Sequence, residues 1–140
     1  MLTIFQTYYQ QPITKHLSDI KLKGRYVLPA LIWTFVVTLL TLMPGKDLPE
    51  INLINFDKFA HIGVFGLLNL LYLRWQRFGV EKGISAWKVS LIVILYSGLI
   101  ELLQGIFYID RFADWADFAA NTLGCTLVWV LFPFLPKFLR

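Results

Sequence analysis

From Tyr26 to Met43 the chain carries no charged residue, the nearest being Arg25 on one side and Lys46 on the other. A run of about 18 to 20 apolar residues is long enough to cross the hydrocarbon core of a bilayer as a helix. Three further runs follow. Phe59 to Leu73 is the shortest, and its helix is expected to begin near Ile54, with Asp57 and Lys58 in the first turns at the membrane interface. The next starts after Trp87-Lys88 and reaches Ile109, interrupted by Glu101 and Gln104. The last extends from Trp115 to Leu135, interrupted by Asp117 and Asn121 and ended by Pro133 and Pro136. With 57% hydrophobic and 16% charged residues in 140, the chain has too little polar surface to enclose a soluble core. The expected fold is all-α, an integral membrane four-helix bundle, with little chain left for an extramembrane catalytic domain.

Two domains of unequal weight are expected. Residues 1–24 are expected to form an N-terminal interfacial or cytoplasmic segment, because Phe5, Tyr8, Tyr9 and Leu17 are mixed with Lys15, Lys21 and Lys23. Residues 25–140 form the four-helix transmembrane domain. The first basic residue is Lys15 and no A-x-A site follows the first run, so that span is expected to stay uncleaved. Gly79 and Gly83 punctuate the loop between the second and third spans, while Gly63 and Gly66 suit close helix approach. Trp87, Tyr108 and Trp115 are read as interface anchors. Cys125 is the only cysteine, which excludes an internal disulfide.

The net charge of +4 raises the question of nucleic acid, but the distribution of the basic residues answers it. Lys15, Lys21, Lys23 and Arg25 precede the first span; Arg74, Arg77, Lys82 and Lys88 lie between the second and third; Lys137 and Arg140 follow the fourth. These ten of the thirteen basic residues share one side of a four-span topology. Lys46, Lys58 and Arg111 fall on the other, with Asp47, Glu50, Asp57, Asp110 and Asp114. Short basic loops stay in the cytoplasm, so both termini are expected there and the acidic side faces outward. The anionic neighbours are then expected to be membrane lipids rather than nucleic acid.

The functional signal lies at the outer helix ends. Asp57 and His61 are four apart and share a face. Glu101, Gln104 and Tyr108 repeat at i, i+3 and i+7, and Asp114, Asp117 and Asn121 do the same where the fourth helix begins. Ionisable groups are costly in lipid, so these side chains are expected to face the interior and converge, with Glu101 and Asn121 at similar depth.

These residues resemble the VanZ-like membrane proteins, a family whose name comes from a member associated with resistance to the glycopeptide teicoplanin. The resemblance covers roughly Asp57 to Gly124. It rests on Asp57-Lys58-Phe59-Ala60-His61, on Glu101-Leu102-Leu103-Gln104, and on Arg111, Asp117, Asn121 and Gly124. There are departures. Ile62 stands where the family often has an aromatic residue, Ile109-Asp110 where it has Pro-Gly, and Val128 where a second packing glycine often follows Gly124. The resemblance implies that residues 25–140 are a VanZ-like domain of a small cell-envelope protein in a bacterial inner (cytoplasmic) membrane, and supplies no reaction.

The candidate ligand-binding residues are therefore Asp57, Lys58, His61, Glu101, Gln104, Arg111, Asp114, Asp117 and Asn121. Three functions fit them. An outward-facing pocket would hold an anionic lipid-linked or glycopeptide-related ligand, such as a cell-wall intermediate, with Arg111 and Lys58 gripping phosphate or carboxylate. An intramembrane enzyme would use His61, Glu101 or Asp117 as general acid or base on a lipid-phosphate or glycan head group. A structural bundle would use the same charges only to pair its helix ends. His61 is read as a neutral histidine oriented by Asp57, and a divalent metal as the secondary reading of the Asp, His and Glu set.

Overall fold

A computed structural model describes residues 24–42, 56–79, 84–107 and 114–139, and all regular structure in them is helical. The helices are α1 (Gly24–Thr41), α2 (Phe56–Gly79), α3 (Ala86–Phe107) and α4 (Trp115–Leu131), the last continuing into a 3-10 turn at Phe132–Phe134. This is the expected all-α four-helix bundle. The segment 1–23, with its expected interfacial character, lies outside the described residues, as do Ile54 and Gly83.

Local chemistry explains the boundaries of α4. Asp114 is its N-cap, with an extended backbone and a carboxylate that accepts the Ala116 N–H at 2.8 Å. An N-cap acid both satisfies an orphan donor and opposes the positive end of the helix dipole. At the other end Pro133 has no N–H to continue the α-ladder, and the chain tightens into the 3-10 turn.

Among the described residues three helices, α1, α3 and α4, are long and apolar enough to cross a membrane. Helix α2 is the longest at 24 residues, or about 36 Å at the usual rise. It is less apolar because Asp57 and Lys58 occupy its first turns, Asn69 its middle and Arg74, Gln76 and Arg77 its last turns. The physical reason lies in its position. Phe65, Leu68, Asn69 and Leu73 are fully buried against the other three helices, so α2 presents less surface that lipid must solvate. By contrast Leu31, Ile32 and Phe35 on α1, Leu91, Ile92 and Leu95 on α3, and Leu123 and Leu127 on α4 are exposed. Apolar belts of that size suit acyl chains rather than water.

Among α2, α3 and α4, the most extensive helix contact joins α2 to α4. Gly124 makes it possible: a Cβ there would lie 2.3 Å from the carbonyl oxygen of Ile62. Gly66 faces the same crossing, 3.5 Å from Gly124 O and from the Val128 side chain, measured from a Cβ built at Gly66. A Cβ at Gly66 would thus be in ordinary contact with α4, so the close approach depends on Gly124. Gly63, expected to aid close packing, instead has open space where its Cβ would be. Gly79 is the last residue of α2 and is buried, rather than part of a loop.

Hydrogen bonds tie α1 to the rest. Trp33 Nε1 donates to Val64 O at 3.1 Å, Thr34 shares a hydrogen bond with Tyr72 OH at 2.9 Å, and Thr38 with Tyr96 OH at 2.6 Å. Lipid surrounds both separated and packed helices, so apolar burial contributes little to association and such polar contacts gain weight. At the basic end, Leu73, Val89 and Phe132 form a small core and Tyr26 stacks on Phe78 at 5.2 Å. Arg25, Arg74, Arg77, Lys88 and Lys137 lie at that end. The opposite end gathers the acids.

Candidate functional site

The first turns of α2 and α4 and the last turns of α3 meet at the acidic end. Lys58 Nζ donates to Asp114 Oδ2 at 2.8 Å, to Asp57 Oδ2 at 3.2 Å and to Asp117 Oδ1. One ammonium therefore joins carboxylates from the start of two helices. The hydrogen bond from Lys58, reinforced by the Ala116 N–H, holds the Asp114 carboxyl below the usual carboxylate range.

Behind this tier, Asn121 Nδ2 donates to Glu101 Oε1 at 3.4 Å, which points Asn121 Oδ1 at His61 Nδ1, 3.0 Å away. With Asn121 in this orientation the oxygen can only accept, which assigns the proton of the neutral ring to Nδ1. In neutral His61 the lone pair then belongs to Nε2, which faces Asp57 Oδ1 at 3.6 Å and Asp117 Oδ2 at 3.8 Å. The hydrogen-bond partner of His61 is thus Asn121, while Asp57, expected to orient the ring, lies 3.6 Å from its other nitrogen. Asp57 lies in the most solvated turn, its side chain 65% exposed, whereas His61 and Asp117 are 16% exposed.

Seven of the candidate residues, Asp57, Lys58, His61, Glu101, Asp114, Asp117 and Asn121, form this one network. Glu101 and Asn121 are buried and in contact, so the expected match in depth is realised. Asp114 belongs to the network as the N-cap, one residue ahead of the helix rather than on its stripe. The spacing of Asp114 and Asp117 before an apolar run carries that signal in the sequence. Gln104 is buried beside the network and donates to Thr41 O on α1, a partner that the sequence patterns did not single out. Arg111 and Tyr108 lie outside the described residues.

Two recesses adjoin the cluster. A cleft of about 150 Å³ is bordered by Thr41, Asp57, Ala60, His61, Val64 and Gln104. A second, of about 270 Å³ between α3 and α4, has walls of Leu95, Gly98, Leu99, Leu102, Trp115 and Phe118, with Glu101 and Asp114 at its polar side. Asp57, His61 and Asp117 each offer one donor atom, and the three atoms lie within 4.8 Å of one another, which matches the nitrogen and carboxylate set of a divalent cation site.

Apolar helices long enough for a bilayer, closed around a more polar one and carrying an ionisable network at one end, define a helical membrane protein. The family model described as VanZ/LLP1 matches residues 1–136, and the chain belongs to that family. The match takes in Ile62, Ile109-Asp110 and Val128, so those departures are variations within it. No curated protein and no solved structure matches the chain.

Proposed function

We propose that this VanZ-like protein receives the head group of an anionic, lipid-linked envelope molecule in a polar pocket at the acidic end of its bundle. The observation that carries the reading is convergence: ionisable and amide side chains from three helices meet beside a cleft that opens next to His61 and Asp57. Charges retained at a membrane-embedded helix end, where they are costly, are functional candidates by default. Arg111, in the segment that joins α3 to α4, supplies the planar fork for phosphate or carboxylate, and the acids accept hydrogen bonds from hydroxyl or amine groups. The split of basic residues supports an outward-facing pocket with both termini on the cytoplasmic side. Protection against teicoplanin-type glycopeptides is the cellular consequence to test. The purified chain in nanodiscs should bind polyprenyl-phosphate-linked precursors, and Arg111→Ala and Asp117→Asn should remove both binding and any protection while expression and helix content persist. Variants that keep binding refute the reading; variants that fail to accumulate favour a structural role, which the three-way pairing of Lys58 also suits.

One observation favours an enzymatic variant of the same site. The Asn121 contact leaves the Nε2 of neutral His61 as an acceptor at the cleft, the arrangement a general base requires. Turnover of labelled precursors that is lost in His61→Ala would establish it.

A further inference from the structure

We infer that Asp57 Oδ1, His61 Nε2 and Asp117 Oδ2 form a three-ligand site for a divalent first-row metal ion, with the remaining coordination position open to the cleft beside Thr41 and Gln104. The inference deepens the head-group reading, because the ion would add positive charge to a cluster whose acids outnumber Lys58. Metal binding itself does not depend on that reading.

Three features of the geometry lead to this site. The first is the tautomer. Asn121 fixes the proton of neutral His61 on Nδ1, so Nε2 turns a lone pair toward two carboxylate oxygens. Three acceptors facing one point repel unless a cation stands between them. A metal-bound histidine characteristically donates its other ring N–H to a carbonyl or carboxylate, the part that Asn121 Oδ1 plays here. The second is the division of the carboxylates. Lys58 takes Asp57 Oδ2 and Asp117 Oδ1, while the opposite oxygen of each residue is the one turned to His61. Lys58 therefore orients both carboxylates from behind without occupying the space between the three donors. The third is spacing. Separations of 3.6 and 3.8 Å are too long for hydrogen bonds from a protonated Nε2. They are close to the roughly 3.4 Å edge of a tetrahedron built on metal–ligand bonds of about 2.0 to 2.1 Å. The third edge, between the two carboxylate oxygens, is within 4.8 Å, and the exposed Asp57 side chain can rotate to shorten it.

One nitrogen and two carboxylate oxygens suit Zn²⁺ or Mn²⁺. Three protein ligands with a fourth position open is the pattern of a site that takes water or a ligand oxygen, and a phosphate oxygen arriving through the cleft would fit it.

The test uses the full chain, with any purification tag removed, stripped with chelator in detergent and titrated with Zn²⁺ by calorimetry and with Co²⁺ by absorption. The expected result is about one ion per chain and Co²⁺ d–d bands of four- or five-coordinate strength, since three protein ligands leave an open position. Affinity should fall by about 100-fold in His61→Ala and Asp117→Asn, and by about 10-fold in Asn121→Ala, the scale on which ligand orientation acts. A wild-type Co²⁺ spectrum identical to the aqueous ion overturns the site whether or not the variants fold. So does wild-type affinity in both His61→Ala and Asp117→Asn. A parallel arm measures short-chain phosphatidic acid binding with and without Zn²⁺. Zn²⁺ binding without any lipid binding leaves the metal site standing and removes the head-group reading. Lipid binding through Arg111 in protein that takes up no Zn²⁺ does the reverse.

Discussion

Replacing Gly124 by alanine tests whether the α2–α4 crossing sets both the stability of the bundle and the geometry of its polar end. The added Cβ would lie 2.3 Å from Ile62 O and 3.0 Å from Ile62 C and Cα, all of them backbone atoms. An ordinary carbon–oxygen contact needs about 3.3 Å, so the helices must part by about 1 Å. No rotamer change can absorb this. Overpacking a core costs about 1 to 3 kcal/mol when side chains can give way, and a backbone obstacle places Gly124→Ala near 3 kcal/mol. Gly63→Ala is the matched control, since its Cβ meets nothing within 4 Å. Unfolding in mixed micelles leaves the separated helices largely helical, so the alanine propensity gain mostly cancels and Gly63→Ala should lie within about 0.5 kcal/mol of wild type. The five tryptophans give a fluorescence signal for that transition. His61 directly precedes Ile62 in the chain, and Asn121 is one turn before Gly124. A 1 Å separation should therefore also lengthen the 3.0 Å His61–Asn121 contact, visible as a changed imidazole ¹⁵N shift. Equal stability of Gly124→Ala and Gly63→Ala would refute the close crossing and the coupling drawn from it.

Lys58→Met leaves the carboxylates of Asp57, Asp114 and Asp117 without their shared ammonium. A broken buried pair costs about 3 to 5 kcal/mol, but Lys58 is 32% exposed, so the expected loss is about 1 to 2 kcal/mol, partly recovered in Lys58→Met with Asp117→Asn. The folded-state pKa of Asp114 is depressed below 3.8, so its stabilising contact is fully present above that pH and is lost as pH falls through the lower, folded value. Carbon-detected NMR titration should show the Asp114 midpoint moving up in Lys58→Met; an unmoved midpoint would deny the Lys58 contact. Asn69 is fully buried and donates to Ser90 Oγ at 3.0 Å and Cys125 O at 2.8 Å. Asn69→Ala should cost about 1 to 2 kcal/mol in the same micelle assay, because interhelical hydrogen bonds in membranes are individually modest and the truncation adds a small cavity. Reporter fusions after Asn52 and Asp110 should read as external and one after Lys82 as cytoplasmic; the inverse pattern would place the acidic end inside the cell.

Apolar run length and the position of charges were enough, in the sequence alone, to indicate an all-α bundle, its helix order and the end at which Asp57, His61, Glu101, Asp117 and Asn121 gather. Those signals are local: a period of 3.6 residues puts polar groups on one face, and lipid forces such faces to meet. The four-residue spacing of Asp57 and His61 correctly put them on one side of α2, yet it could not reveal that Asn121, from a helix 60 residues away in the chain, orients the imidazole. Likewise, Gly63 and Gly66 look equivalent on the helix, and only the placement of α4 decides that Gly66 meets Gly124 and Val128 while Gly63 faces open space. Thr34 and Thr38 read as ordinary members of an apolar span until Tyr72 and Tyr96 stand opposite them. Which oxygen of Asp57 and Asp117 turns to Lys58 and which to His61 belongs to the same class of fact. Hydropathy and periodicity specify how a helix divides its surface between lipid and protein, but the partner at each buried position depends on how the helices cross, and that is decided by contacts between residues far apart in the chain.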